Sequence, residues 1–426
     1  MLISKQKMEY DHIIDKKAKI NCISLIVILG FIFSVSFHII LGYYFKHSYP
    51  HNTFLFTPSD RFMDFYKNYS IMKNWDPLNN FVKSNHLPFS ILFEYLWTLL
   101  PPKISFFLYG LIFLSYFVFY NRKFLYLKSA PIESTINLLV ISLLSYPFLF
   151  AIDRSNVEMY LFIFLSLFVY FYYKKKNLLS VLFLSFAIAM KLFPAVFLLF
   201  FLKDRKYREL ILTIAFVIVL TIIPLYLLKG DIVDNTMRFI NTLNNYTKIY
   251  IIGNPSLTAG LGFNHSLFGI VRLFSQKYFT NYYFANINAI LYIHLFFSLA
   301  YIFIISLYIS IVEKTMWKQV ALLIFSFNLL PYISADYKLI HIFIPMLLFI
   351  NCEKESKFRL LSAILFGLLL IPKAYYHFSG IVSAESGAPD ISISIIINPL
   401  IMLIFTIAIM YEGLRNYTVS GDTPRE

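Results

Sequence analysis

The sequence predicts an all-α fold, a polytopic bundle of about twelve transmembrane helices. Of its 426 residues, 59% are hydrophobic and only 14% are charged, whereas soluble domains are about half apolar and a quarter charged. Several apolar runs reach the ~20 residues that a helix needs to cross a bilayer. Examples are 23–45, 210–228 and 290–312. We therefore expect a single integral-membrane domain over residues 1–426, with 23–45 as a signal anchor.

The basic residues predict the orientation of this bundle. Of the 37 Lys and Arg, 22 fall in the short segments on one side of the predicted spans. Those segments are 1–22, 121–133, 174–176, 203–208, 313–318, 353–359 and 413–426. Short loops rich in Lys and Arg stay in the cytoplasm, so both termini are expected there. The net charge of +14 is then an orientation signal in a multi-pass plasma (inner) membrane protein, and no nucleic-acid partner is expected.

Twelve spans satisfy this constraint, and their even number keeps both termini on one side. They lie near 23–45, 104–120, 134–151, 157–173, 177–190, 192–202, 209–228, 288–312, 317–333, 338–351, 358–373 and 391–412. Because 177–202 is too short for two full spans, it predicts a short or re-entrant hairpin that turns at Lys191–Pro194. The remaining segments are a cytoplasmic start (1–22), two long outer loops (46–103 and 229–287) and a cytoplasmic tail (413–426).

The first outer loop contains the charged and aromatic stretch "TPSDRFMDFYKNYSIMKNWDP" at residues 57–77. Its spacing predicts an amphipathic helix that lies at the membrane interface. One face would carry Phe62, Phe65, Tyr69 and Met72. The opposite face would carry Asp60, Asp64 and Lys67, and would present carboxylates to an aqueous site. Helix capping and intrahelical ion pairs by the same side chains are the simpler alternative.

Charged side chains also occur where two predicted spans meet and inside an apolar segment. "IDRSNVE" places Asp153, Arg154, Asn156 and Glu158 at a tight turn. Asn156 could simply cap a helix, but a guanidinium at membrane depth needs a carboxylate or phosphate partner. Lys191 is flanked by apolar residues on both sides, and an intramembrane lysine is a candidate functional residue. A structural ion pair with Asp153 or Glu158 is the alternative for this lysine.

Two further polar groups lie on the outer side of the predicted topology. "ADYKLIHIF" supplies Asp336, Tyr337, Lys338 and His341, and "FNHSL" supplies Asn264 and His265. A buried core histidine is the alternative for His341, and a loop with a helix cap is the alternative for the second group. No metal-ligand spacing and no glycine-rich nucleotide loop occurs, so neither a metal nor another cofactor is expected. A topology drawn from Lys and Arg counts alone thus places all five of these polar clusters on the outer face.

This combination of residues suits transfer of a sugar from a lipid phosphate. A carboxylate can accept the proton of an acceptor hydroxyl, and Lys, Arg or His can stabilise charge on a phosphate leaving group. Polyprenyl-phosphate sugars are donors of this kind, and they remain in the bilayer. We therefore expect a donor lipid, a glycan or glycolipid acceptor and the bilayer itself as partners.

Four stretches resemble the GT-C superfamily of membrane glycosyltransferases, and within it glycosyltransferase family 87, which includes polyprenyl-phosphate-mannose-dependent mannosyltransferases. They are "DRFMDFYKNYSIMKNWDP", the block from "RSNVEMY" to "KDRKYRE", "NHSL" and "DYKLIHIFIP", and together they span most of 55–350. The resemblance implies a GT-C-like bundle, inverting transfer and no obligatory metal. It also implies Asp60 as general base, with Asp64 in reserve. Ser155 stands where the family usually has glycine, and the "NWDP" turn also lacks a glycine.

The leading hypothesis is a hexosyl- or pentosyltransferase, with mannose as one candidate sugar, that acts on the outer membrane face. The acceptor would be a lipid-linked or cell-surface glycan. The residues assigned to the donor phosphate and substrate are Arg154, Asn156, Lys191, Asn264, His265, Asp336, Tyr337, Lys338 and His341. A transporter or flippase of lipid-linked glycans, or a polymerase of them, is the alternative. The abundance of Ile, Phe, Tyr, Lys and Asn suggests an AT-rich, bacterial genome.

Overall fold

The computed structural model describes residues 2–73, 76, 78, 86–253, 260–352, 358–379 and 390–421. Within them the chain is almost wholly helical. In chain order the α-helices are α1 (Leu2–Ile39), α2 (Met63–Met72), α3 (Pro88–Trp97), α4 (Pro102–Leu125), α5 (Pro131–Leu143), α6 (Tyr146–Arg154), α7 (Glu158–Tyr173), α8 (Asn177–Met190), α9 (Leu198–Lys203), α10 (Tyr207–Leu227), α11 (Ile232–Tyr246), α12 (Leu267–Tyr278), α13 (Thr280–Ala285), α14 (Ile287–Ile311), α15 (Met316–Leu329), α16 (Phe343–Ile350), α17 (Arg359–Leu370) and α18 (Ser394–Gly421).

Shorter elements interrupt this series. Three 3₁₀ segments are Pro58–Asp60, Phe193–Phe197 and Asp336–Ile342, and π-helical turns occupy Ile40–Tyr44 and Thr247–Ile252. Strands β1 (His377–Ser379) and β2 (Asp390–Ser392) pair antiparallel, with Phe378 opposite Ile391. This small hairpin departs from the predicted all-α fold, because three-residue strands leave no alternating pattern in the sequence.

Five helices in the described part of the chain are long and apolar enough to cross a bilayer. They are Ile13–Tyr44, Pro102–Leu125, Tyr207–Leu227, Ile287–Ile311 and Ser394–Thr418. A sixth candidate is the pair α5 and α6, which is bent by 51° at the break between them. Shorter apolar helices such as α7, α8 and α15 fill the interior. The predominantly helical fold with candidate membrane spans is confirmed, whereas the count of twelve spans stays a prediction.

The interior of the bundle is built around α7 and α15. Every residue of α15 from Trp317 to Leu329 is buried, as expected of a helix that is surrounded by protein rather than lipid. Aromatic side chains fill the spaces between helices. The ring centroid of Phe117 lies 5.0 Å from that of Phe148 and 4.9 Å from that of Phe343. Close packing of this kind leaves little freedom for the side chains that it surrounds.

The helical backbone is interrupted at Lys191, where the sequence predicts a turn. Helix α8 ends at Met190, Lys191 is extended with φ −148° and ψ 138°, and Pro194 lies in the first turn of the next 3₁₀ segment. Proline suits a helix start because its φ is already helical and it has no N–H to satisfy. Lys191 is therefore held at a helix break inside the bundle, where it is buried.

The predicted interfacial helix is shorter than expected and packs on protein. Asp60 belongs to the 3₁₀ turn Pro58–Asp60, and α2 begins only at Met63, after Phe62 with a positive φ of 59°. The prediction that Asp60 and Asp64 share one helical face is therefore wrong. Phe62 N donates a hydrogen bond of 2.7 Å to the carbonyl of Asp153, and this bond holds the kink that the sequence pattern does not show.

The aromatic face of α2 covers another helix, not lipid headgroups as predicted. Phe65, Tyr69 and Met72 are its buried residues. The ring centroid of Phe65 lies 5.1 Å from that of Tyr109 on α4. The Tyr69 hydroxyl donates a 2.8 Å hydrogen bond to the carbonyl of Leu100. An amphipathic pattern alone does not distinguish a membrane interface from a protein surface.

Helix α1 approaches the end of α17 at Gly30, which gives a test of the packing. A Cβ added at Gly30 would lie 2.3 Å from Ile371 Cγ2 and 2.7 Å from Ile371 Cβ. We expect Gly30→Ala to destabilise the protein by about 1–3 kcal/mol through overpacking, measured as a lower melting temperature in detergent. Gly110→Ala is the matched control because nothing lies within 4 Å of its added Cβ. Equal melting temperatures for the two variants would contradict this packing.

Candidate functional site

Arg154 ties the first loop to the junction between α6 and α7. Its Nη1 donates a 3.0 Å hydrogen bond to the carbonyl of Asp60 and lies 3.4 Å from Asp60 Oδ2. Its Nη2 donates to Asp64 Oδ1. The guanidinium lies 3.9 Å from the ring centroid of Phe56, a cation–π contact. The carboxylate partnership that the sequence requires of Arg154 is therefore supplied by both predicted aspartates.

The αL residue Ser155 produces this geometry. Ser155 has φ 50° and ψ 44°, which ends α6 and redirects the chain into α7. This is the position where the resembled family usually has glycine, and glycine is the residue that most readily adopts such a conformation. In this chain the Ser155 hydroxyl donates a 2.8 Å hydrogen bond to the carbonyl of Ile152, a local contact that helps to hold the turn.

Asn156 combines the two roles that the sequence leaves open. Its Oδ1 accepts a 3.1 Å hydrogen bond from Glu158 N at the start of α7, as a cap does. Its Nδ2 donates a 2.9 Å hydrogen bond to Asp64 Oδ2. The same amide thus caps a helix and orients a candidate catalytic carboxylate.

The two aspartates differ in their free acceptor capacity. Both oxygens of Asp64 accept hydrogen bonds, one from Arg154 and one from Asn156. Within the described part of the chain, Asp60 Oδ1 accepts none, and Asp60 Oδ2 has only the long contact to Arg154. The exposed side-chain fractions are 27% for Asp60 and 23% for Asp64, against 8% for Arg154. Asp60 is therefore the carboxylate with more free acceptor capacity for a substrate hydroxyl.

Buried basic side chains surround Glu158, two residues after Asn156. His341 Nε2 lies 3.0 Å from Glu158 Oε2, and both side chains are inaccessible to solvent. Lys191 and Lys338 lie within electrostatic range of Glu158. Lys338 Nζ also lies 4.1 Å from the ring centroid of Phe193. Of the two partners considered for a structural ion pair of Lys191, Glu158 is the one within electrostatic range, and a functional role of this lysine stays a prediction.

We call the residues so connected the polar centre. Its members are Asp60, Asp64, Arg154, Asn156, Glu158, Lys191, Lys338 and His341. The 3₁₀ segment Asp336–Ile342 supplies the last two, and it packs against α6, α7 and α15. Because i and i+3 eclipse in a 3₁₀ helix, Lys338 and His341 share one side. Tyr337, between them in the sequence, is half-buried.

Asn264, His265 and Asp336 form a separate buried group in which protein partners saturate the side chains. His265 Nδ1 lies 2.9 Å from Asp336 Oδ1, and His265 Nε2 lies 2.9 Å from Asn328 Oδ1. The Tyr146 hydroxyl donates a hydrogen bond to Asp336 Oδ2. Asn264 Oδ1 accepts a 2.9 Å hydrogen bond from the backbone N–H of Ser334. These contacts lock two loops together, so a supporting role fits the geometry and substrate contact stays a prediction.

Two acidic residues in this region are not among the residues that the sequence reasoning selects. Glu158 is noticed there only as one of several charges at a turn and as a candidate ion-pair partner of Lys191. Glu94 lies in the apolar segment "PFSILFEYLW" of α3 and is buried. A lone carboxylate in such a segment is energetically costly unless it has a function or a partner. Its apolar surroundings are therefore the sequence feature that could have identified Glu94. Asn74, Trp75 and Pro77 of the "NWDP" turn lie outside the described residues.

No group of three or more His, Cys, Asp or Glu side chains among the described residues could hold a metal ion. The polar centre instead offers carboxylates, a guanidinium, ammonium groups and an imidazole. Such groups can transfer protons and stabilise anions without a metal.

Substitutions at Ser155 test the backbone geometry of the site. We expect Ser155→Gly to change the free energy of unfolding by less than about 1 kcal/mol, because relief of the αL cost offsets the lost side-chain hydrogen bond. Ser155→Val should cost about 2 kcal/mol or more, since a β-branched residue tolerates positive φ poorly. Unfolding of each variant in detergent measures both changes in the free energy of unfolding. Ser310→Val, within α14, is the control; a Ser155→Val variant no less stable than this control would contradict the αL assignment.

Sequence similarity relates this chain to a known protein family. The model of glycosyltransferase family 87 matches residues 87–331, more than half of the chain. This range contains Arg154 and Lys191 but neither Asp60 nor Asp64. Comparison with curated proteins and with solved structures gave no match. The family match confirms the resemblance found in the sequence, and with the apolar helices it shows that this membrane protein belongs to glycosyltransferase family 87.

Proposed function

We propose that the protein transfers one sugar, a hexose or pentose with mannose as one candidate, from a polyprenyl-phosphate donor to a hydroxyl of a lipid-linked or cell-surface glycan. The observation that carries this proposal is the junction of two partly exposed carboxylates, Asp60 and Asp64, with buried cations. Activation of the acceptor hydroxyl needs a carboxylate, and a departing phosphate needs cations.

The buried part of the polar centre suits a phosphate. Lys191 and Lys338 both lie within electrostatic range of Glu158, whose carboxylate is already paired with His341. A phosphate would accept charge-assisted hydrogen bonds from these two lysines. A polyprenyl chain would stay in the bilayer beside the helices, which accounts for an enzyme made almost wholly of apolar helices.

The proposed reaction uses Asp60 as general base. The acceptor hydroxyl oxygen attacks the anomeric carbon of the donor, and its proton passes to the Asp60 carboxylate. The bond between the anomeric carbon and the phosphate oxygen breaks, and its electron pair leaves with polyprenyl phosphate. Lys191 and Lys338 stabilise the charge on that leaving group. Attack opposite the leaving phosphate inverts the anomeric configuration, and Asp64 positions Arg154 and the first loop.

We also propose an orientation in the membrane. The concentration of Lys and Arg in one set of short segments favours cytoplasmic termini. The polar centre would then face the outer side of the plasma (inner) membrane. The second candidate function, movement or polymerisation of lipid-linked glycans, is less favoured because the chain belongs to a glycosyltransferase family. Reconstituted vesicles separate the two, since only transfer of single sugars releases one polyprenyl phosphate for each sugar added.

Substitution of the aspartates tests the assignment of the base. We expect Asp60→Asn to lower kcat about 10²- to 10⁴-fold, the usual contribution of a general base, with radiolabelled polyprenyl-phosphate sugar as donor. Asp64→Asn should lower kcat less, because it keeps a hydrogen-bonding side chain beside Arg154. The matched control is Asp234→Asn, which alters another aspartate that is paired with an arginine, Arg238. Full activity of both Asp60→Asn and Asp64→Asn would exclude a catalytic role for this loop.

Substitution of Lys191 tests the phosphate site. We expect Lys191→Met to raise the KM for the donor roughly 10- to 100-fold, because a hydrogen bond to a charged group contributes about 1.5–3 kcal/mol. The KM for the acceptor should not change. Lys16→Met is the control, since Lys16 is also buried and donates a 2.9 Å hydrogen bond to Asn351 Oδ1. An unchanged donor KM in a folded Lys191→Met enzyme would exclude this lysine from donor binding.

A further inference from the structure

Glu94 on α3 is a buried carboxylate that the proposed reaction does not use. Only 7% of the residue is exposed. Its Oε1 accepts a 2.8 Å hydrogen bond from Asn68 Nδ2. Its Oε2 accepts no hydrogen bond within the described residues, although His86 Nδ1 lies 3.2 Å away, an ion pair when that imidazole is protonated. A buried carboxylate oxygen without a hydrogen bond calls for an explanation.

Helix α2 links Glu94 to the polar centre. Asp64 and Asn68 lie one turn apart on this helix and therefore on the same face. Asp64 contacts Arg154 and Asn156, while Asn68 holds the Glu94 carboxylate. One helical face thus positions both the catalytic loop and Glu94.

Lys191 and Tyr109 each lie near three carboxylates, and one of the three is Glu94. Lys191 lies within electrostatic range of Glu158, Glu94 and Asp64. The phenol of Tyr109 lies within electrostatic range of the same three residues. Because Lys191, at the break after α8, and Tyr109, on α4, both lie near these three carboxylates, Glu94 borders the polar centre and is not an isolated charge of α3.

Aromatic side chains line the same region. Trp97 follows Glu94 by three residues on α3, and its ring centroid lies 5.2 Å from that of Tyr109. Tyr109 in turn lies 4.6 Å from Tyr160. The indole Nε1 of Trp97 is buried and has no hydrogen-bond partner among the described residues. Aromatic walls with a few fixed polar groups are the usual construction of a small-molecule site.

We propose that Glu94 binds hydroxyl groups of the sugar ring that is transferred, with Asn68 as its positioning residue. This inference rests on the proposed function and adds a specificity-determining residue to it. A carboxylate accepts hydrogen bonds but repels a phosphate, so its ligand must carry O–H or N–H donors. Lys191, beside it, would bind the donor phosphate. The sugar attached to that phosphate is the nearest source of hydroxyl donors.

A binding experiment separates the sugar contact from the phosphate contact. The probes are a short-chain polyprenyl-phosphate mannose and the same polyprenyl phosphate without sugar, each titrated in detergent against the full-length protein by tryptophan fluorescence. We expect Glu94→Gln to weaken binding of the sugar-bearing lipid about 10- to 100-fold and to leave binding of the bare lipid unchanged. Lys191→Met should weaken both.

The control is Glu133→Gln, because Glu133 is likewise held by an asparagine, Asn21, and a cation, Lys17, but is exposed and lies elsewhere. Glu133→Gln should bind both lipids as the native protein does. Donors that lack one ring hydroxyl provide a second measurement. The native protein should bind at least one of them more weakly than the parent donor, and Glu94→Gln should no longer distinguish that pair.

The outcomes are distinguishable from failure of the proposed function. If the native protein binds neither lipid, the polyprenyl-phosphate donor is wrong and the role of Glu94 is wrong with it. If the native protein binds both lipids and Glu94→Gln retains the native preference for every sugar hydroxyl, Glu94 is structural and only this inference is overturned. A loss of binding for the bare lipid in Glu94→Gln would also overturn it, because the effect would then reach the phosphate site.

Discussion

The contact between the Arg154 guanidinium and the two aspartates of the first loop is the interaction on which the rest of the site depends. A guanidinium that is 8% exposed must be paired, and removal of either kind of partner would leave a costly buried charge. Asp153 reinforces the attachment, since its Oδ2 accepts a 3.2 Å hydrogen bond from Phe56 N. The location of Asp60 and Asp64 is thus decided by the turn between α6 and α7, nearly a hundred residues along the chain.

Interruptions of helices position much of this site. Ser155 ends α6 in the αL conformation, Lys191 is extended between α8 and a 3₁₀ segment, and Lys338 and His341 belong to another 3₁₀ segment. Irregular backbone at membrane depth is tolerated only where protein or a wet cavity surrounds it. The buried helix α15 and the aromatic contacts supply that surrounding. The bundle therefore provides rigidity, and its breaks provide the polar groups.

The charges of the polar centre are graded from the surface inward. Asp60 and Asp64 keep about a quarter of their side-chain surface exposed, while Glu158 and His341 are inaccessible to solvent. An acceptor that arrives from water and a donor phosphate that is held among buried cations would meet between these layers. Electrostatic stabilisation is stronger in such a water-poor region. Glu94, in the position inferred for it, would bind the ring that passes from one layer to the other.

The sequence by itself determined the helical membrane bundle, the family and the break at Lys191, because hydropathy, proline and isolated charges act locally. It also identified Arg154 as a residue in need of a carboxylate or phosphate partner. Only the tertiary structure decided which side chains meet: Glu158 with His341, Asn68 with Glu94, and His265 with Asp336. It also separated Asp60 from the helix that holds Asp64 and turned the aromatic face of α2 toward α4. These contacts join residues that lie far apart in the chain, and local periodicity carries no information about such partners.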